Sequence, residues 1–251
     1  MITLKSPREI DIMRESAEIL RQVFIGVRQA VKAGVTTQQL DEVAEDLTHK
    51  YKAKPAFKGY RGYPATICVS INEVVVHGIP SGRKIQDGDI VSVDMGVVHK
   101  GFYSDAARTW PVGKVDEERL ELIRVTRESF EAGVKQFKAG NRLGDISAAI
   151  QARAESSGFT VVRDFVGHGI GRALHEDPQV PNFGEPGRGV LLQEGLVLAI
   201  EPMVNAGTHE VDVQNDRWTV ITRDGECSAH YENTIALTKH GAEILTSGCE
   251  D

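Results

Sequence analysis

The tetrapeptide VKAG at residues 31–34 returns as FKAG at 137–140, 106 residues later, and each copy stands between helical stretches that lead into strands. Four matching residues mean little alone. The shared order of helix, KAG, helix and strands constrains the fold far more. It predicts an α+β chain of two similar halves, about 6–112 and about 116–240, and no Pro/Ser-rich linker divides them, so they are expected to pack as a single domain over 1–251.

Local signals fill in this plan. Ser6-Pro7-Arg8-Glu9 reads as a capping box with proline at the first helical position. Apolar residues at Ile10, Met13, Ala17, Leu20, Phe24, Val27 and Val31 then recur at helical spacing, with Gly34 as the expected cap. A second helix is predicted from about Thr37 to Lys52, with Leu40, Val43, Leu47 and Tyr51 on one face. "ATICVSI", "IVSVDMGVV" and "FYSDAARTW" read as strands, the last two forming a hairpin. From Asp116 a helix is expected to bury Leu120, Ile123, Phe130, Val134 and Phe137, and a further one spans about Asp145 to Ser156.

Acidic residues interrupt the apolar strands. With a two-residue turn at His99-Lys100, Val98 opposes Gly101 and Asp94 opposes Asp105, which would bring two carboxylates side by side. Glu201 in "GLVLAIEPMV" and Glu232 in "AHYENTIAL" repeat the anomaly, and Glu201 follows Asp94 by 107 residues, almost the repeat offset. Four carboxylates converging in one interior would raise each other's pKa values, and burial would add to this. Two divalent ions would cancel the charge, and oxygen-rich coordination with an imidazole suits Mn, Fe, Co or Zn. His168, in the glycine-rich "GHGIGRALHE", is then the candidate nitrogen ligand. A phosphate loop is the weaker reading of that stretch, since only Arg172 follows the glycines and "DPQVPNFGEPG" is no helix start. His77 and His175 also sit at or near glycine beside apolar stretches, whereas His49, His99, His209 and His240 do not.

A net charge of −7 argues against binding to DNA. No apolar run approaches the roughly 20 residues of a membrane span, and the charged N-terminus does not read as a signal peptide. Cys68, Cys227 and Cys249 lack metal-type spacing and fit free thiols, so a soluble cytoplasmic protein is expected.

The motifs "SINEVVVHGIP", "DIVSVDMG" with "GFYSDAART", "GHGIGRALHEDP", "AIEPMV" and "YENTIALT" closely resemble those of type I methionine aminopeptidases, over about residues 4–246. The resemblance implies the pita-bread fold, two pseudo-twofold-related halves around a curved antiparallel sheet, and removal of initiator methionine when the second residue is small. It implies Asp94, Asp105, His168, Glu201 and Glu232 as ligands of two divalent ions (Co, Mn, Fe, Zn or Ni), with Asp105 and Glu232 bridging. Glu201 would shuttle protons, His175 would stabilise the oxyanion, and His77 would bond the substrate backbone or leaving amine. Tyr60, Tyr63, Cys68, Leu174 and Trp218 would form the methionine pocket, and Asn72, Val74 and Ser228 a monovalent cation site. Expected partners are nascent polypeptides near the ribosome, with neither DNA nor membrane, the enzyme acting as a monomer. Lacking an N-terminal extension, the chain is similar to the short bacterial form.

Leu174 stands where many bacterial members have phenylalanine, Phe57 where some have cysteine, and His230 occupies a variable position; these bear on the pocket. Prolidase and aminopeptidase P share the five ligands but carry an additional N-terminal domain. Relatives that bind proteins without catalysis lack several ligands, and all five are present here.

Overall fold

Helix α1 (Pro7–Ala30) begins on the predicted capping box: Ser6 Oγ accepts the Glu9 N–H at 3.4 Å, and the Glu9 carboxylate accepts the Ser6 N–H at 2.9 Å. These bonds belong to a computed structural model, which describes residues 2–249. The helix stops before the expected glycine. Val31 N–H closes the last turn on Val27 O, while Gly34 (φ +90°) serves the loop beyond and donates to Ile85 O at 2.8 Å. Helix α2 (Thr37–Lys50) ends slightly earlier than predicted.

Nine strands form the main sheet: β1 (Lys54–Pro55), β2 (Ile67–Ile71), β3 (Ile90–His99), β4 (Phe102–Pro111), β5 (Gly167–Gly169), β6 (Glu176–Val180), β7 (Val197–Ile200), β8 (Glu232–Thr238) and β9 (Gly241–Ile244). Their order is β1-β3-β4-β8-β7-β5-β6, with β2 also on β3 and β9 also on β8, and every pair is antiparallel.

The β3–β4 hairpin turns at Lys100-Gly101, one residue later than the sequence reading placed it. Pairing therefore sets Asp94 opposite Ala107 and Asp105 opposite Gly96. The cause is local: both turn residues have positive φ, 49° at Lys100 and 79° at Gly101, as the hairpin turn that matches strand twist requires. Glycine supplies one of those positions without steric cost. A register change of two residues leaves both aspartates on one face.

Helices α3 (Glu117–Val134) and α4 (Leu143–Glu155) follow the first half. α3 buries Phe130 as predicted, with Phe137 beyond it, and packs Ile123 and Val134 partly against the core, but Leu120 departs from the predicted face. Leu120 is 44% exposed, and Leu122, Val125, Ser129, Phe130 and Gly133 turn inward. Small residues set this face, because a Cβ at Gly133 would lie 2.7 Å from Ile150 Cγ1 of α4.

Among the described residues, the four α-helices lie against the same side of the sheet. Leu20, Phe24 and Leu40 pack with Val91 and Val93 of β3. Phe130, Ile146 and Ile150 pack with Leu198, Ile200 and Ile235 of β7 and β8. Side chains alternate across a strand, so Asp94, Ala199 and Glu232 must point away from the helices. Two three-stranded sheets complete the fold: Met203–Asn205 with Ser228–His230 and 160–161, and Val74–Val76 with Val211–Val213 and Val220–Thr222. Among the described residues, no helix is long and apolar enough to cross a membrane.

Candidate metal centre and substrate cavity

The helix-free face of five adjacent strands assembles the site. Asp94 (β3) and Glu232 (β8) both lie opposite Ala107 of β4, and Asp105 is two residues along on the same face. Asn233 pairs with Ile200, so continuing that register sets Glu201 across from Glu232. His168 of β5 pairs with Ala199, whose side chain shares the face of Glu201. Only a methyl group, that of Ala107, stands between Asp94 and Glu232 in the ladder.

Ligand atoms of Asp105, His168 and Glu232 lie within 4.8 Å of one another, as do those of Glu201, His230 and Glu232. Asp94 is in neither group, but its carboxyl and that of Asp105 are close enough to shift each other's titration. Burial pushes Asp94 up to about 7. Burial and the neighbouring carboxylates hold Asp105, Glu201 and Glu232 far above the usual range. One cation approaches from behind: the buried Arg108 guanidinium donates to the backbone carbonyls of Ala107 and Glu232 and, at 2.9 Å, to Asn233 Oδ1. It does not balance four carboxylates.

The imidazole of His168 settles what the cluster can accept. Its Nδ1 lies 2.9 Å from Gly169 O, which can only accept, so Nδ1 carries the hydrogen. Burial lowers the ring to about 3, leaving it neutral with the lone pair on Nε2. That lone pair faces Glu201 Oε1 at 3.4 Å. Buried Asp94 Oδ1, Asp105 Oδ1, Glu232 Oε1 and His230 Nε2 have no hydrogen-bond partner. Unpaired acceptors at such distances repel unless protons or a cation lie among them, and a hard or borderline divalent ion fits this donor set.

The cluster lines a cavity of about 170 Å³. Its other walls include Tyr60, Tyr63, Cys68, His77, Leu174, His175 and Trp218, all expected from sequence. Tyr63 meets Trp218 edge-on with ring centroids 5.0 Å apart. Burial, and then Asp94, raise the Cys68 thiol, which makes it a neutral wall and not a nucleophile. His77 holds φ 60°, a left-handed conformation uncommon outside glycine and concentrated at functional sites. Its ring, lowered to about 4 by burial, packs edge-on against Phe165 at 5.5 Å. His175 stands at the rim, its ring 4.2 Å from that of His168 and its Nδ1 2.9 Å from the Tyr60 hydroxyl. Packing behind the ring, and then Arg61, lower it to about 4.

His230, expected from sequence only to bear on the pocket and not as a ligand, is buried with Nε2 3.7 Å from Glu201 Oε2. Its position two residues before Glu232, and so on the same side of an extended chain, was the available signal. Phe57, Arg61, Val76, Phe165, Val166 and Met203 also line the cavity. Asn72, Val74 and Ser228 do not. Asn72 Nδ2 donates to Asp89 Oδ1 at 2.8 Å, and Ser228 N–H donates to Asn72 O at 2.9 Å. His49, His99, His209 and His240 lie outside the cavity lining.

The model of metallopeptidase family M24 matches residues 11–239. A methionine aminopeptidase of Clostridium perfringens is 54% identical over 246 residues, 98% of this chain and 99% of the relative. A solved methionine aminopeptidase from Thermotoga maritima is 51% identical with a TM-score of 0.96, covering 98% of this chain and 99% of that one. Prolidase from Pyrococcus furiosus, at 23% identity and a TM-score of 0.80, covers 97% of this chain and 65% of its own, a likeness of fold alone. The chain therefore belongs to metallopeptidase family M24 and, within it, to the methionine aminopeptidases.

Proposed function

We propose that the cavity releases methionine from polypeptides whose second residue is small, with Asp94, Asp105, His168, Glu201 and Glu232 holding two divalent ions. One observation carries the metal reading: the His168 Nε2 lone pair faces a carboxylate oxygen 3.4 Å away among orphaned buried acceptors. Divalent ions bound there supply Lewis acidity and water activated for attack at neutral pH. Glu201, whose carboxylate lies among the candidate ligands at the cavity wall, takes a proton from the attacking water and hands it to the leaving amine. If Tyr60 donates to His175 Nδ1, Nε2 carries the hydrogen and donates to the carbonyl oxygen as charge develops there. His77 bonds the substrate backbone or leaving amine. Tyr60, Tyr63, Cys68, Leu174 and Trp218 receive the methionine side chain, where a thioether beside an aromatic ring gains about 0.3–1.5 kcal/mol.

Strand order supports the internal duplication. The run β3-β4-β8-β7 is symmetric about the β4–β8 seam, with Asp105 and Glu232 on the inner strands and Asp94 and Glu201 outside them.

A peptide panel tests the specificity. Met-Ala-Ser is expected to be cleaved and Met-Lys-Ser and Met-Phe-Ser left intact. Efficient release of any residue before proline, with little preference for methionine, would overturn the assignment in favour of a proline-directed peptidase.

A further inference from the structure

A largely buried ion pair lies outside the cavity, at the foot of the loop that carries His175. Lys5 is 6% exposed, and its backbone N–H donates to Gly195 O at 2.7 Å, laying the segment before α1 against the sheet. Its ammonium donates to Thr3 O at 2.9 Å and to Glu176 Oε2. The other Glu176 oxygen accepts the N–H groups of Arg172 at 2.7 Å and Ala173 at 3.1 Å. One carboxylate thus closes the turn 172–176 from within, while Lys5 fixes that carboxylate from the far side.

Glycine at 171 is what lets the pair fit. A Cβ there would lie 2.3 Å from Lys5 Cε and 2.8 Å from Glu176 Oε1. Leu174 is buried in a cluster with Ile10 and Met13 of α1, and His175 immediately precedes Glu176. The loop is therefore pinned at both ends of the dipeptide that presents the imidazole.

We propose that Lys5 and Glu176 are positioning residues for His175, fixing the loop so that the imidazole meets the reacting carbonyl. This rests on His175 being the donor to the developing oxyanion. Neither side chain lines the cavity. Catalysis depends steeply on such placement, since displacement of about 1 Å costs on the order of a hundredfold in rate.

The test is a double-mutant cycle on the metal-loaded protein with Met-Ala-Ser, run well below each variant's Tm. Lys5→Met keeps the apolar stem and removes the cation; Glu176→Asp keeps the charge but shortens its reach, and serves if Lys5→Met does not fold. Each is expected to lower kcat about tenfold or more with KM within about twofold, the sign of an interaction realised in the transition state. In a His175→Ala background the same changes are expected to add almost nothing, because residues acting as one unit are non-additive. Equal losses with and without His175, or wild-type kcat in both variants, would overturn the positioning role. Intact kcat in His175→Ala alone would remove the oxyanion reading and this proposal with it. A loss there beside wild-type kcat in Lys5→Met and Glu176→Asp defeats the present proposal alone.

Discussion

Exhaustive chelation is expected to abolish methionine release and to lower the Tm, by more at pH 7 than at pH 5. The carboxyls of Asp94, Asp105, Glu201 and Glu232 are pushed up, chiefly by burial. Their folded pKa values exceed the unfolded ones, so the metal-free folded state holds extra protons. Its stability from these groups is full below the ordinary carboxylate range and is lost as pH rises through the folded values, about 7 for Asp94. Divalent ions replace those protons and remove the loss, so the gap in Tm between loaded and metal-free protein widens with pH. A free ion at a hundred times its Kd adds about 2.7 kcal/mol. At roughly 2–4 °C per kcal/mol for a chain of about this size, that is a shift of about 5–11 °C. Calorimetry of both forms across pH 5–7.5, beside activity assays on protein shown metal-free by elemental analysis, checks both arms. Full activity without metal, or a gap that narrows as pH rises, defeats the reading.

Glu201→Gln is expected to lower kcat by about 10²–10⁴, the range of a lost general acid–base group. The amide keeps the shape of the side chain but neither carries its charge nor accepts a proton at neutral pH. The same change removes one of four crowded carboxylates, so the metal-free variant is expected to melt higher than the metal-free parent. These opposite signs separate a catalytic loss from a folding defect. A kcat within threefold of the parent would remove Glu201 from proton transfer.

Much of this site was legible because an acidic residue in an apolar strand has a cost that something must offset. Asp94, Glu201 and Glu232 advertise themselves by interrupting β-branched runs, and alternation fixes which way each points. Small errors in register did little harm: the turn at Lys100-Gly101 moved the pairing by two residues and kept Asp105 on the face of Asp94. Less visible were residues whose role depends on long-range pairing. The backbone of His230 exchanges hydrogen bonds with Thr109 Oγ1, 2.9 Å each way, a contact across 121 residues that no local pattern encodes. Arg108 lies two residues from Trp110 in an apolar strand, and only the fold shows its guanidinium bonded to the Glu232 carbonyl. On α3 the prediction fails at Leu120 alone among its five residues, and the close approach to α4 at Gly133 is a contact that an apolar stripe does not report.

Ala107 lies between Asp94 and Glu232 in the ladder and contributes no donor atom. Its methyl group is all that separates the two carboxylates in the ladder, so the room for an ion among them is expected to depend on volume as well as on ligands. A branched side chain at that position is expected to crowd the carboxylates while leaving all five candidate ligands in the sequence. A chain of this fold is therefore expected to lose catalysis through one apolar substitution while keeping the full ligand signature. Recognising an active member of such a family from its ligand motifs alone then requires one further test, that the residue under the carboxylates is small.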